Sequence, residues 1–168
     1  FARNRVSGCS SSTRGLILGG AVPSPSPFDE GGNMIDFITI ATLGDGQDFG
    51  DLSTSKFQNV SVSNATRAII FGGRTQPNGD NNNVIDFITI ASLGNATDFG
   101  DDNGENGQAG VSSPTRAVRL GGRTYPADTN VIQFVEIATT GNAQDFGDLL
   151  TACNNHSTGG ASTGHGGL

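Results

Sequence analysis

Ile85-Asp86-Phe87-Ile88-Thr89-Ile90-Ala91 repeats without a change the stretch Ile35-Asp36-Phe37-Ile38-Thr39-Ile40-Ala41. It returns a third time as Ile132-Gln133-Phe134-Val135-Glu136-Ile137-Ala138. Each copy is dense in β-branched and aromatic residues, the composition of a strand. Side chains alternate along a strand, so Ile85 and Phe87 point one way while Ile88 and Ile90 point the other. A strand that is apolar on both faces needs cover above and below. One small sheet cannot supply that, but a stack of similar sheets can.

Other markers flank each copy in a fixed order. Thr13-Arg14 recurs as Thr66-Arg67 and Thr115-Arg116, Gly19-Gly20 as Gly72-Gly73 and Gly121-Gly122, and Asp48-Phe49-Gly50 at 98–100 and 145–147. Spacings run from 47 to 53 residues, and the differences fall in polar segments rich in Gly, Pro and Asn. The chain therefore reads as one repeat domain over 1–168, with units at about 2–52, 53–101 and 102–150 and a partial fourth at 151–168. Ala152-Cys153-Asn154 aligns with Ala2-Arg3-Asn4, and Ser162-Thr163 with Ser12-Thr13. His165-Gly166-Gly167 is a shortened echo of the Gly-Gly strand. The first residue is Phe1 and the pattern opens mid-unit, which reads as a processed product or part of a longer chain.

In the middle unit, Arg67–Phe71 is a short apolar strand closed by Gly72-Gly73. Gln76–Asn83 carries the Pro, Gly and Asn that turns require. Val84–Ala91 is a longer strand, Thr97–Gly100 a short one, and Val60–Ser63 alternates apolar and polar as a half-exposed strand. About four antiparallel strands per unit result, and radial stacking of four-stranded sheets as propeller blades fits them best.

Bulk composition agrees. Of 168 residues only 34% are apolar and 26 are Gly, so the core must be thin and distributed, and helices are disfavoured throughout. The net charge of −7 offers no basic stripe for phosphates, so no nucleic acid partner is expected. No apolar run approaches a membrane span. Cys9 and Cys153 make no disulfide framework and read as small, partly buried residues, with a bridge between them as the alternative.

The pattern resembles the kelch repeat, a blade of about 50 residues with Gly-Gly after its second strand and aromatics in its third and fourth. The matching residues here are Gly72-Gly73, Phe87 and Phe99 with their counterparts, Phe replacing the usual Tyr and Trp. More closely, Ser-Ser-Ser-Thr-Arg-Gly (10–15), Asn-Val-Ile-Asp-Phe-Ile-Thr-Ile-Ala (83–91) and Gly-Asn-Ala-Thr-Asp-Phe-Gly-Asp (94–101) look like kelch-type repeats in tail-associated and other structural proteins of phages infecting marine cyanobacteria. That resemblance implies an all-β fold of kelch-like propeller blades and a virion or extracellular role, as a structural component of a tail or fibre. Host-surface recognition is the companion reading, and catalysis is not implied.

Three units fall short of the four to eight blades of known propellers. Blades upstream, shared rings or another stacking would each make up the number. The surplus opening segment can close its own ring or be donated to a neighbour, so a homo-oligomer is expected, with other virion proteins or cell-surface glycans as further partners.

A motif repeated in every unit reads as scaffold. Phe49, Phe99 and Phe146 are expected as core aromatics, and Arg14, Arg67 and Arg116 as partners of a nearby Asp or carbonyl. Function on such scaffolds sits in the loops where copies differ. Candidate binding residues are Phe28 and Tyr125, exposed aromatics for sugar stacking, and Asp80 and Asn82 in the oxygen-rich loop 78–83. That loop and 101–106 offer oxygens for calcium but lack the spaced EF-hand pattern, so solvated turns are expected. His156 and His165, beside Ser157 and Cys153, make no catalytic constellation, and neither a nucleophile elbow, a paired-Cys metal spacing nor a phosphate loop is present. No cofactor, metal or enzymatic activity is expected.

Overall fold

The computed structural model describes residues 2–22, 30–75, 79–154 and 160–162, with the backbone alone at 30–31 and 160–162. Within them the fold is all-β. Strands β1 (Ser7–Ser10), β2 (Arg14–Leu18), β5 (Met34–Thr39) and β6 (Gln47–Asp51) form a first antiparallel sheet in that spatial order. A two-stranded ribbon, β3 (Ala21–Val22) with β4 (Glu30–Gly31), sits in its connection. The second sheet is β7 (Val60–Ser63), β8 (Arg67–Phe71), β9 (Val84–Thr89) and β10 (Thr97–Asp101). The third is β11 (Ala109–Ser112), β12 (Arg116–Thr124), β13 (Ala127–Glu136) and β14 (Gln144–Asp148). These are propeller-like blades, laid face against face.

The apolar residues collect between sheets, as two thin cores. In one, Leu16, Leu18, Phe37 and Phe49 of the first sheet meet Ala68, Ile70, Ile88 and Ile90 of the second. In the other, Ile69, Phe71, Ile85 and Phe99 of the second meet Ala117, Val135 and Ile137 of the third. Strands β8 and β9 thus contribute one parity of side chains to each core, which is why they carry apolar residues on both faces. Val60–Ser63 differs from the sequence reading. All four residues are buried, because β7 lies between the inner strands β1 and β11. The Ser63 hydroxyl donates to Ser10 O and the Ser112 hydroxyl to Ser63 O, so Ser63 links the three inner strands.

Asp-Phe-Gly is a β-bulge. Pairing jumps from Asp36–Asp48 to Ile35–Gly50, leaving Phe49 as the extra residue, and Phe99 and Phe146 occupy the same position. The carboxylate of Asp48 accepts from Gly50 N at 3.1 Å, and the glycine takes φ 141°, which Gly tolerates best. The motif holds an aromatic inward at a kink.

Gly-Gly closes the second strand in the first two sheets, but β12 runs on through Gly121-Gly122 to Thr124. It forms a longer hairpin with β13 that turns at Tyr125-Pro126. Residues 151–154 follow the expected alignment. Gly122 N donates to Cys153 O at 2.9 Å, as Gly20 N does to Lys56 O and Gly73 N to Glu105 O, each at 3.0 Å. β15 (Gly160–Ser162) then pairs parallel with β11 as a fifth strand of the third sheet, within the chain. His156, Ser157 and the His165 echo lie outside the described residues. Cys9 is half-buried, Cys153 is exposed rather than partly buried, and both are free thiols.

Candidate functional site

The residues that mark the repeats build the joints between sheets. At the first joint Gly94 N donates to Phe49 O (2.9 Å), Ala96 N to Asp51 O (2.7 Å) and Asp51 N to Asn95 Oδ1 (3.0 Å). At the second, Gly141 N donates to Phe99 O (2.7 Å), Ala143 N to Asp101 O (2.8 Å) and Asp101 N to Asn142 Oδ1 (3.0 Å). The arginines cross the same joints, Arg14 Nη1 donating to Ile90 O at 2.6 Å and Arg67 Nη1 to Ile137 O at 3.0 Å. Each guanidinium also lies over a third-strand ring, Arg14 at 4.8 Å from Phe37 and Arg67 at 4.9 Å from Phe87. Those rings meet the bulge phenylalanines edge-on at 6.0 and 5.8 Å. Stacks of this kind add about 0.5–1.5 kcal/mol beyond area for the rings and a similar amount for the cation.

The outer sheets carry the same parts without a neighbour. On the third, Arg116 lies 4.7 Å from Phe134, which meets Phe146 edge-on at 5.8 Å. Yet Phe146 is 55% exposed where Phe49 and Phe99 are 3% exposed, and Arg116 turns its Nε to Glu136 of its own sheet. On the first, Ile38 and Ile40 are 41% and 52% exposed, whereas their counterparts Ile88, Ile90, Val135 and Ile137 are buried.

A cleft of about 440 Å³ opens beside the second joint, lined by Arg74, Asp80, Asn81, Asn106, Arg123 and Tyr125. It brings together two of the sequence candidates, Asp80 and Tyr125. Tyr125 is 81% exposed at the hairpin tip, with the Arg123 guanidinium 5.3 Å from its ring. Asn106 Nδ2 donates to Asn81 Oδ1 at 2.6 Å, and Arg74 Nε to Gly79 O at 2.8 Å, which shapes the wall. Asn82 lies outside the lining. Its amide accepts from Val84 N at 2.7 Å and donates to the Thr54 hydroxyl at 3.2 Å. Phe28 lies outside the described residues.

No family model and no curated protein matches the chain. Among solved structures the blades find a counterpart. The fold is similar to that of YjhT. The superposition has a TM-score of 0.74 over 90% of this chain at 10% identity, and covers 54% of the YjhT chain. This chain therefore spans about half the length of YjhT, and at that identity the likeness is one of blade geometry alone.

The most unexpected feature is a set of buried charges that the sequence did not announce. Lys56 Nζ lies 3.0 Å from Asp86 Oδ2, both side chains wholly buried, and donates to Val84 O at 3.0 Å. Burial pushes the Lys56 ammonium below its usual range, against the pull of Asp86. In the third sheet the charges are rearranged. Glu105 and Gln133 stand where Lys56 and Asp86 do, and Arg119 replaces Ile70. Arg119 is wholly buried, bonded to Glu105 and to Gln133 Oε1, with Asp102 Oδ2 3.6 Å from its Nε. One guanidinium between two carboxylates leaves an excess negative charge out of water. Burial accordingly raises the Asp102 carboxyl to about 6, against the pull of Arg119. Loop 101–106 is thus no solvated turn, because Asp102, Glu105 and Asn106 are buried, the two acids against Arg119. An alignment of the units alone carries one signal for this, since Arg119 breaks an apolar column at Ile17 and Ile70.

Proposed function

We propose that the chain is a non-catalytic building block of a virion tail or fibre, or of an extracellular fibre, whose work is to join propeller-like blades face to face. One observation carries this reading. The repeated side chains serve blade-to-blade joints, and the outer sheets expose the two halves of one further joint. Exposed apolar faces of this kind mark assembly surfaces. The resemblance to structural repeats of cyanophages supports a virion or extracellular location. Electron microscopy of the native particle tests the reading. Density for these blades in a tail or fibre is the expected result, and their absence from every assembled particle would sink it.

A second reading rests on the cleft. An exposed Tyr125 beside Arg123, Arg74, Asp80 and Asn81 offers an aromatic platform with donors and acceptors, the set used to hold a sugar. Here the chain grips host-surface glycans through loops between blades. A glycan array decides it, with selective hits that Tyr125→Ala abolishes as the expected outcome. A blank array leaves the building-block reading alone.

A further inference from the structure

The two exposed faces match each other part for part. The third sheet holds Phe146 O, the N and O of Asp148, and Arg116. The first holds Gly44 N, Gly46 N, the Asp45 carboxylate and Ile40 O. Those are the counterparts, position by position, of the groups that bond across both internal joints. The fit extends to shape. A Cβ placed on Gly50 would come within 2.5 Å of Gly94 O, and one on Gly100 within 2.4 Å of Gly141 O. Around the equivalent Gly147 nothing lies within 4 Å. The socket that receives a neighbour's turn is present and vacant.

From this continuity with the internal joints, we infer that the Phe146 face of one chain docks on the Ile38–Ile40 face of a second copy, head to tail. The occupant of each exposed face is thus the chain itself. Arg116 releases Glu136 and donates to Ile40 O of the second copy. Asp148 N donates to its Asp45 carboxylate, and its Gly44 and Gly46 N–H groups donate to Phe146 O and Asp148 O. Two copies close a ring. Three blades cover 54% of the YjhT chain, so two copies supply about the blades of one such fold, and a head-to-tail joint repeated between them closes as a ring.

The inner part of that joint is already filled, since Cys153 O takes the bond from Gly122 N. In the arriving copy the aligned residue is Arg3. Its side chain is 8% exposed, bonded to Asp36 and donating to Gly19 O and Met34 O at 2.9 Å. Residues 151–153 are exposed, and they yield together with β15, which lies along the inner strand β11 where the second copy's opening strand arrives.

This inference rests on the building-block reading, and sedimentation equilibrium separates the two. Wild-type protein is expected at twice 17.1 kDa. Ile40→Glu and Phe146→Glu, each at an exposed position, are expected to weaken association at least ~100-fold with unchanged far-UV circular dichroism. Mixed in equal amounts, the variants should pair again, because their intact faces are complementary, though with one joint in place of two. A wild-type monomer at micromolar concentration overturns the inference and removes the main support of the building-block reading. A dimer whose variants stay apart when mixed overturns the head-to-tail joint. Open filaments that both variants break overturn the ring and leave the building-block reading standing.

Discussion

Truncating the bulge phenylalanines one at a time should give unequal losses, although the three residues are equivalent in sequence. Phe99 is 3% exposed, packed between Phe87 and the Val135–Ile137 face of the third sheet. Phe99→Ala removes a fully buried ring from a core that cannot close over the gap, at a cost of about 3–5 kcal/mol. Phe146 makes the same edge-on contact, with Phe134 at 5.8 Å, but is 55% exposed. It retains less than half of the roughly 1.5–3 kcal/mol of burial and part of the aromatic pair, so Phe146→Ala should cost about 1–2 kcal/mol. With a urea slope of about 2 kcal/mol/M, the two midpoints should differ by roughly 0.5–2 M. The chain has no Trp and a single Tyr, so far-UV circular dichroism is the readout, on protein dilute enough to hold copies apart. Equal midpoints for the two variants would refute stacking as the origin of Phe99 burial.

Four further outcomes follow from the charges and thiols. Asp86→Asn strands the buried Lys56 and should cost about 3–5 kcal/mol, most of it regained by pairing Lys56→Met with Asp86→Leu. Asp36→Asn, at a carboxylate 43% exposed, should cost no more than about 1 kcal/mol in the same urea titration. Asp102 binds its proton more tightly folded, at about 6, than at its ordinary 3.8. Its contribution to stability is complete below the lower value and lost as pH rises through the higher one. Urea midpoints between pH 4 and 7 should therefore fall less steeply in Asp102→Asn than in wild type, and parallel profiles would contradict the assignment. Burial raises the Cys9 thiol to about 12 against the hydroxyls of Ser61 and Ser63, so a thiol reagent at pH 8 should label the exposed Cys153 first and spare Cys9 until unfolding.

The blades were legible because the joint is written into every unit. Apolar residues on both parities of 85–91 required cover on two sides, and the Asp-Phe-Gly and Gly-Gly markers fixed where strands bend and end. The three arginines were expected to meet an Asp or a carbonyl; Arg14 and Arg67 donate to carbonyls and Arg116 to Glu136, while their seat over Phe37, Phe87 and Phe134 depends on strand register and was not visible. Val60–Ser63 looked half-exposed because its serines are polar. Ser63 bonds between inner strands instead, a long-range pairing that alternation cannot show. Loop 101–106 misled for a related reason, since Asp102 and Glu105 are drawn inward by an arginine 14 to 17 positions away. In the cleft, Tyr125 and Asp80 stood out by type. Arg74 and Arg123 did not, because they follow Gly-Gly and read as part of the repeat.

Hydroxyl-radical oxidation of the phenylalanines, followed by mass spectrometry across protein concentration, tests equivalent stacked blades most directly. In dilute protein Phe49 and Phe99 should resist oxidation while Phe146 reacts, and Phe146 should become protected as the concentration rises. Oxidation of Phe49 or Phe99 as fast as Phe146 in dilute protein would show that the sheets are not laid face to face.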